Sequence, residues 1–171
     1  MRISLAALVV GAAAALSAST AFGHRSVGEC AGVQLAGRFA AIPGSPGAGS
    51  ISYKLTLKNA SGTSCTVTGL PLGRLLGKTK SKLATHVRAA HPGQLTAILV
   101  TLAPGHSTVA TARFSPDVPG PGEQGRRQCE PKAYWFRVLA RGGGATTVKV
   151  VPATPVCEQG TMSFSAYGNA G

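Results

Sequence analysis

The sequence predicts an all-β fold, an antiparallel β-sandwich of about 7–9 strands. Three observations predict it. Short apolar or alternating runs recur between clusters of turn formers, and the 171 residues include 23 Gly and 11 Pro to make those turns. No stretch beyond the first two dozen residues keeps a helical period. Hydrophobic residues make up 44% of the chain but aromatics only 5%, so the core has to rest largely on Val, Leu, Ile and Ala.

Residues 1–23 read as a secretory signal. Met1-Arg2 supplies the positive end, residues 3–18 are uncharged and rich in Ala, Leu and Val, and small residues offer cleavage after Ala21 or after Gly23. The apolar run falls short of the roughly 20 residues a spanning helix needs. No Cys follows it directly, which excludes a lipidation box. Residues 24–29 read as a flexible lead-in and residues 30–171 as a single sandwich domain.

Within that domain, residues 32–42 form a first strand ended by Pro43-Gly44-Ser45-Pro46-Gly47. Residues 50–59 carry the clearest pattern: Ile51, Tyr53, Leu55 and Leu57 alternate with Ser52, Lys54, Thr56 and Lys58, a period of two with one face buried and one wet. Asn59-Ala60-Ser61-Gly62 then reads as a hairpin turn into a strand that begins at Cys65. Residues 78–92 read as an edge strand plus a long loop. Residues 98–102 and 109–114 are short strands, and residues 115–131 a long polar loop. Residues 133–140 hold the only Trp, Trp135, expected in the core; Gly142-Gly143-Gly144 turns them into a β-branched partner at residues 146–151. Residues 162–167 alternate again and close the domain.

Four cysteines lie beyond the leader: Cys30, Cys65, Cys129 and Cys157. An exported chain with an even cysteine count points to disulfides, and four allow three pairings. Cys30–Cys65 with Cys129–Cys157 is favoured, because each bridge then brackets one contiguous block. No Cys-x-x-Cys unit is present, so a zinc knuckle or a thioredoxin-like site lacks its signature.

The order of these landmarks resembles a known family. A Cys opens the domain, and the run from Asn59 through Ser61, Cys65 and Gly69 to Pro71 has the form Asn-x-Ser-x-x-x-Cys-x-x-x-Gly-x-Pro. Leu102-Ala103-Pro104-Gly105 precedes a strand, Cys129 precedes the Trp135 strand, and Pro155-Val156-Cys157 precedes the last strand. Together they resemble the secreted domain of unknown function 4232 of high-GC Gram-positive bacteria, over residues 30 to 167. The resemblance implies an Ig-like β-sandwich exported to the cell envelope or medium, with no established catalytic residues. Many members carry a lipid or membrane anchor, which this chain departs from.

Familiar catalytic and nucleotide-binding patterns fail on inspection. Gly120-Pro121-Gly122-Glu123-Gln124-Gly125 matches G-x-G-x-x-G, but Pro119 and Pro121 flank its first Gly and Arg126-Arg127-Gln128-Cys129 follows, where a strand before and a helix after are needed. Gly73-Arg74-Leu75-Leu76-Gly77-Lys78-Thr79 is one residue short of a phosphate-binding loop and reads as a β-turn. Gly105-His106-Ser107-Thr108-Val109 lacks the closing Gly of a nucleophile elbow, and only five Asp and Glu are available in the chain to orient a base. His86 and His91 have no third ligand near them, so no metal and no cofactor are expected. The chain reads as non-enzymatic.

Charge is the remaining signal. The chain has 17 Lys and Arg against 5 Asp and Glu, a formal net of +12. Loss of the leader removes Arg2 and leaves 16 basic against 5 acidic residues, a net +11. Arg74, Lys78, Lys80, Lys82 and Arg88 cluster with no acid among them, and Arg126 and Arg127 sit in the long loop. Such a surface attracts polyanions. The expected partner is an anionic cell-wall polymer bound through basic loops. Plain solubility is the competing account of the charge. An envelope protein docked on a sandwich face is the alternative partner, and an unrecognised hydrolase the third reading. With few aromatics free to stack on bases, no specific nucleic-acid recognition is expected.

Overall fold

A computed structural model describes residues 26–93, 98–123, 129 and 131–169. The signal-peptide reading of residues 1–23 lies outside the described residues, as do Arg126 and Arg127. The chain is all-β. Its strands are β1 (Leu35–Ala41), β2 (Ile51–Asn59), β3 (Cys65–Val67), β4 (Leu72–Leu76), β5 (His86–Ala89), β6 (Val100–Leu102), β7 (Ser107–Phe114), β8 (Ala133–Leu139), β9 (Ala145–Thr154), β10 (Thr161–Phe164) and β11 (Gly168–Asn169).

Alternation makes β2 the central strand. Tyr53, Leu55 and Leu57 are fully buried while Lys54 and Lys58 are exposed. β2 pairs with β1 on one side and β7 on the other, and the main sheet runs β4-β8-β9-β1-β2-β7-β10-β5, with β11 added beside β7. β3 and β6 form a separate two-stranded ribbon. The two ends of the long sheet approach each other. Lys82 bridges back to Leu76 of β4, and Leu83 N–H donates to the Leu75 carbonyl at 3.0 Å, just ahead of β5. The sheet therefore wraps into a nearly closed barrel.

Wrapping puts the scarce aromatics in one place. Phe39 of β1 lies 5.2 Å from Tyr53, 5.4 Å from Phe136 and 5.9 Å from Phe164, centroid to centroid. Phe136 and Phe164 also stack at 5.8 Å, although their strands are far apart in the sheet order. Val, Leu and Ala fill the remainder of the core.

Several expectations need correction. The sheet is mixed rather than antiparallel: β1 pairs with β9 and β10 with β5 in parallel. Residues 73–76, read as part of a β-turn, belong to strand β4, because Leu75 and Leu76 are buried against β8. Trp135 is not in the core; it faces outward, half-buried, while its neighbour Phe136 points in. Gly28, read as lead-in, accepts the Thr66 N–H at 2.9 Å, since the Cys30–Cys65 bond holds that stretch beside β3.

Both disulfides form as favoured, Cys30–Cys65 and Cys129–Cys157, with Cα separations of 4.8 and 4.9 Å. The Asn59-Ala60-Ser61 segment is no hairpin turn, for β2 and β3 do not pair; it carries the chain from the barrel to the ribbon. Asn59 is fully buried there. Its Nδ2 donates to the Thr63 and Leu102 carbonyls at 2.8 and 2.9 Å, and its Oδ1 accepts from the Ser61 N–H and Oγ at 3.0 and 2.7 Å. The family-like run thus has a physical basis: Asn59 staples barrel to ribbon, Cys65 forms a disulfide, and Gly69 takes a φ of 75° that side chains disfavour. Asn59→Asp keeps the shape but points an oxygen at two carbonyls. It is expected to cost about 2–3 kcal/mol at neutral pH in chemical denaturation; an unchanged midpoint would show the staple to be dispensable.

Two buried tyrosines set an alkaline limit. Burial pushes the Tyr53 hydroxyl up from 10.0, opposed by a hydrogen bond with Thr154, and burial raises Tyr167 as well. The unfolded chain therefore loses these protons first. Their contribution is fully present below about pH 10 and is lost as pH rises beyond it. Tyrosinate absorbance from Tyr53 and Tyr167 should appear together with unfolding, not ahead of it; ionisation of both in a chain with native Trp135 fluorescence contradicts this account.

Candidate anion-binding site

The basic residues meet on the outer face of β4 and β8. In β4, Leu72 and Arg74 are exposed while Leu75 is buried; in β8, Arg137 and Leu139 are exposed while Phe136 and Val138 are buried. Register sets Leu72 opposite Leu139, Arg74 opposite Arg137 and Leu76 opposite Trp135. Directly opposed residues on one face hold their Cβ atoms about 4.5–5.5 Å apart. Two arginine side chains thereby leave the sheet from adjacent points on one face, with the mild repulsion such a pair carries.

Two lysines complete the site. The β4 strand ends in a tight turn in which the Lys80 N–H donates to the Gly77 carbonyl at 3.0 Å and the Gly77 N–H to the Ser81 carbonyl at 2.9 Å. Lys80 adopts a φ of 62°, a left-handed conformation costing roughly 1–2 kcal/mol for a residue with a Cβ. That conformation carries its Nζ over the Trp135 ring, 5.5 Å from the centroid, a cation–π geometry. Lys82 returns opposite Leu76. Arg74, Lys80, Lys82 and Arg137 line a groove of about 390 Å³, together with Gly73, Leu76, Leu139 and Thr147. No Asp or Glu occurs in β4, in β8 or in the turn between Leu76 and Lys82. Guanidinium groups make bidentate, charge-assisted contacts to multiply charged anions, and this groove gathers two of them with two ammonium groups.

The structure thus unites three of the residues singled out from sequence and sets Lys78 and Arg88 apart from them. Arg74, Lys80 and Lys82 share the groove. Lys78 is exposed on the adjoining turn and does not line it. Arg88 lies on β5, where its Nε donates to Ser163 Oγ at 3.0 Å and its guanidinium stands 3.8 Å from the Glu158 carboxylate. It lines a different cavity, of about 310 Å³, with Arg113. The groove residues sit on strands and a strand-ending turn, not on long loops.

The matched span of sequence can now be placed on this frame. A model of the domain of unknown function DUF4232 matches residues 30–167. The chain belongs to this family. Neither a curated protein nor a solved structure matches it. The DUF4232 span opens at Cys30, in the first disulfide, and closes at Tyr167, which is buried in the core. It contains the whole groove.

Sequence reasoning missed Arg137. The signal was available: Arg137 falls between Phe136 and Val138, so a period of two with those residues inward turns it to solvent. What no local pattern supplies is its pairing with Arg74.

The acidic Glu123 does not line the groove and serves structure instead. It is buried, and its carboxylate accepts from the Gly120, Glu158 and Gln159 N–H groups at 2.8, 2.8 and 2.7 Å. Glu158 and Gln159 both have left-handed φ, so this carboxylate holds a turn that would otherwise be strained.

Proposed function

We propose that this DUF4232 protein is an exported, non-catalytic binding protein whose β4–β8 groove holds an anionic component of the cell envelope. The observation that carries the reading is the opposed Arg74–Arg137 pair, flanked by Lys80 and Lys82, in a groove with no acid. A fold gains nothing from setting like charges face to face; a ligand anion turns that cost into affinity. The amino-terminal leader and the two disulfides support an oxidising destination outside the cytosol. The packing of Phe136 on Phe164 supports reading the wrapped sheet as a distorted Ig-like sandwich.

Arg137→Gln tests the reading by separating stability from binding. Removing one of two opposed charges is expected to leave the fold as stable or raise it by a few tenths of a kcal/mol. The same change should weaken sedimentation with purified cell wall about tenfold at low salt, the worth of one charge-assisted contact of roughly 1.5 kcal/mol. Wild-type binding should fall steeply as salt rises. Binding that ignores both salt and Arg137 sinks the proposal.

A second reading, docking of an envelope protein, draws on Leu72 and Leu139. They are exposed at 47% and 53% and lie opposite each other at the rim of the groove. A stoichiometric partner retained at high salt and lost in Leu139→Ser favours it.

A further inference from the structure

We infer that the groove is one end of a longer cationic track that binds a linear, flexible chain of phosphates laid across the strands. The inference rests on the groove reading and extends it to β9, β1 and β2. Register places Trp135 of β8 opposite Lys149 of β9, and Lys149 opposite Arg38 of β1. Arg38 in turn faces Thr56 of β2, with Lys54 two residues away opposite Ala40. Arg38, Lys54 and Lys149 are all exposed. Arg38 and Lys54 line a cavity of their own, of about 160 Å³, with Ala40 and Pro43.

Two directly opposed like-charge pairs therefore stand on one face, Arg74–Arg137 and Arg38–Lys149. None of the strands β4, β8, β9, β1 and β2 contains an Asp or Glu to relieve them. Adjacent strands lie about 4.8 Å apart, so the four steps from β4 to β2 give a track of about 19 Å running perpendicular to the strands. A single phosphate reaches only the charges of one cavity. A chain of phosphates neutralises both pairs at once and releases their counterions, which is why length should matter.

The surface favours a polymer without bases. Trp135 is the aromatic that the register sets in this row, and the Lys80 ammonium lies over its ring, leaving that face closed to stacking.

Fluorescence anisotropy on the folded chain, with labelled tripolyphosphate, a long inorganic polyphosphate and a single-stranded oligonucleotide of matched charge, tests this. Long polyphosphate should bind at least about tenfold more tightly than tripolyphosphate, with a salt slope that falls by roughly 1.4 in Arg38→Gln/Lys149→Gln. That double variant should leave tripolyphosphate affinity unchanged, whereas Arg74→Gln/Arg137→Gln should weaken both ligands. Equal affinity for short and long chains, or a long-chain affinity indifferent to Arg38 and Lys149, overturns the track while leaving the groove. Absence of binding to either polyphosphate, or indifference to Arg74 and Arg137, overturns the groove reading itself. Tighter binding of the oligonucleotide overturns the choice of polymer. All four positions are exposed on the outer face, so circular dichroism should be identical across the variants.

Discussion

Phe39→Ala is expected to destabilise the protein by about 3–5 kcal/mol, the range for an aromatic truncated in a packed core. In a domain of this size that lowers the thermal midpoint by roughly 6–20 °C. The reason lies in how few rings the chain has. With five Phe and three Tyr in the sequence, the barrel cannot fill its centre with redundant aromatics. Phe39 is fully buried and touches Tyr53, Phe136 and Phe164, which come from β2, β8 and β10. Truncation leaves a cavity between three strands that the sheet order keeps apart, so collapse of one wall cannot fill it. Differential scanning calorimetry measures the loss. A cost under about 1 kcal/mol would mean that the cluster is loosely packed and that the barrel is held from elsewhere.

Removal of the Cys30–Cys65 bridge is the second large effect expected. Closing 35 residues in the unfolded chain contributes about 3–4 kcal/mol in the chain-entropy model. The bond also organises its surroundings. The Cys30 N–H donates to the Thr66 carbonyl at 2.9 Å, and the Cys30 carbonyl accepts from the Gly142 N–H of the β8–β9 turn at 3.1 Å. A Cβ at Gly142 would collide with the carbonyl of Glu29, so the turn is seated directly on this segment. Cys30→Ser/Cys65→Ser should therefore lose the amide protection of Thr66 and Gly142 in hydrogen exchange, besides its share of stability. Cys129–Cys157 closes 28 residues, for which the same model predicts a nearly equal entropy term. Its removal should leave Thr66 and Gly142 protected, and equal loss of protection in both variants would place the effect in the unfolded chain alone.

Much of the barrel was legible in the sequence. The alternation from Ile51 to Lys58 assigned the inward and outward faces of β2 correctly, and the Gly-rich break before Ala145 located the β8–β9 hairpin. The disulfide pairing is the one of three that the contiguous blocks favoured. The strand β4 was missed because it is short, with Gly73 and Arg74 beside only two buried leucines, so its pattern is too brief to separate from a turn. Trp135 was misplaced for a related reason. In a run of bulky residues the identity of the side chain says little about its face, and a bulge between Ala133 and Trp135 resets the alternation there.

The candidate site was legible in part, and the division follows the range of the forces involved. Charge and the clustering of Arg74, Lys80 and Lys82 are local properties, written in residues close together in the chain. The side-chain period of a strand is also local, so the sequence by itself determined which residues of β2 could face water. Only the closed sheet brought Arg137 beside Arg74 and Lys149 beside Arg38, buried Asn59, and sent Arg88 to another cavity with Glu158. Pairing between distant segments depends on which edges remain free once the core has formed, and loop-closure entropy varies too slowly with length to choose among them.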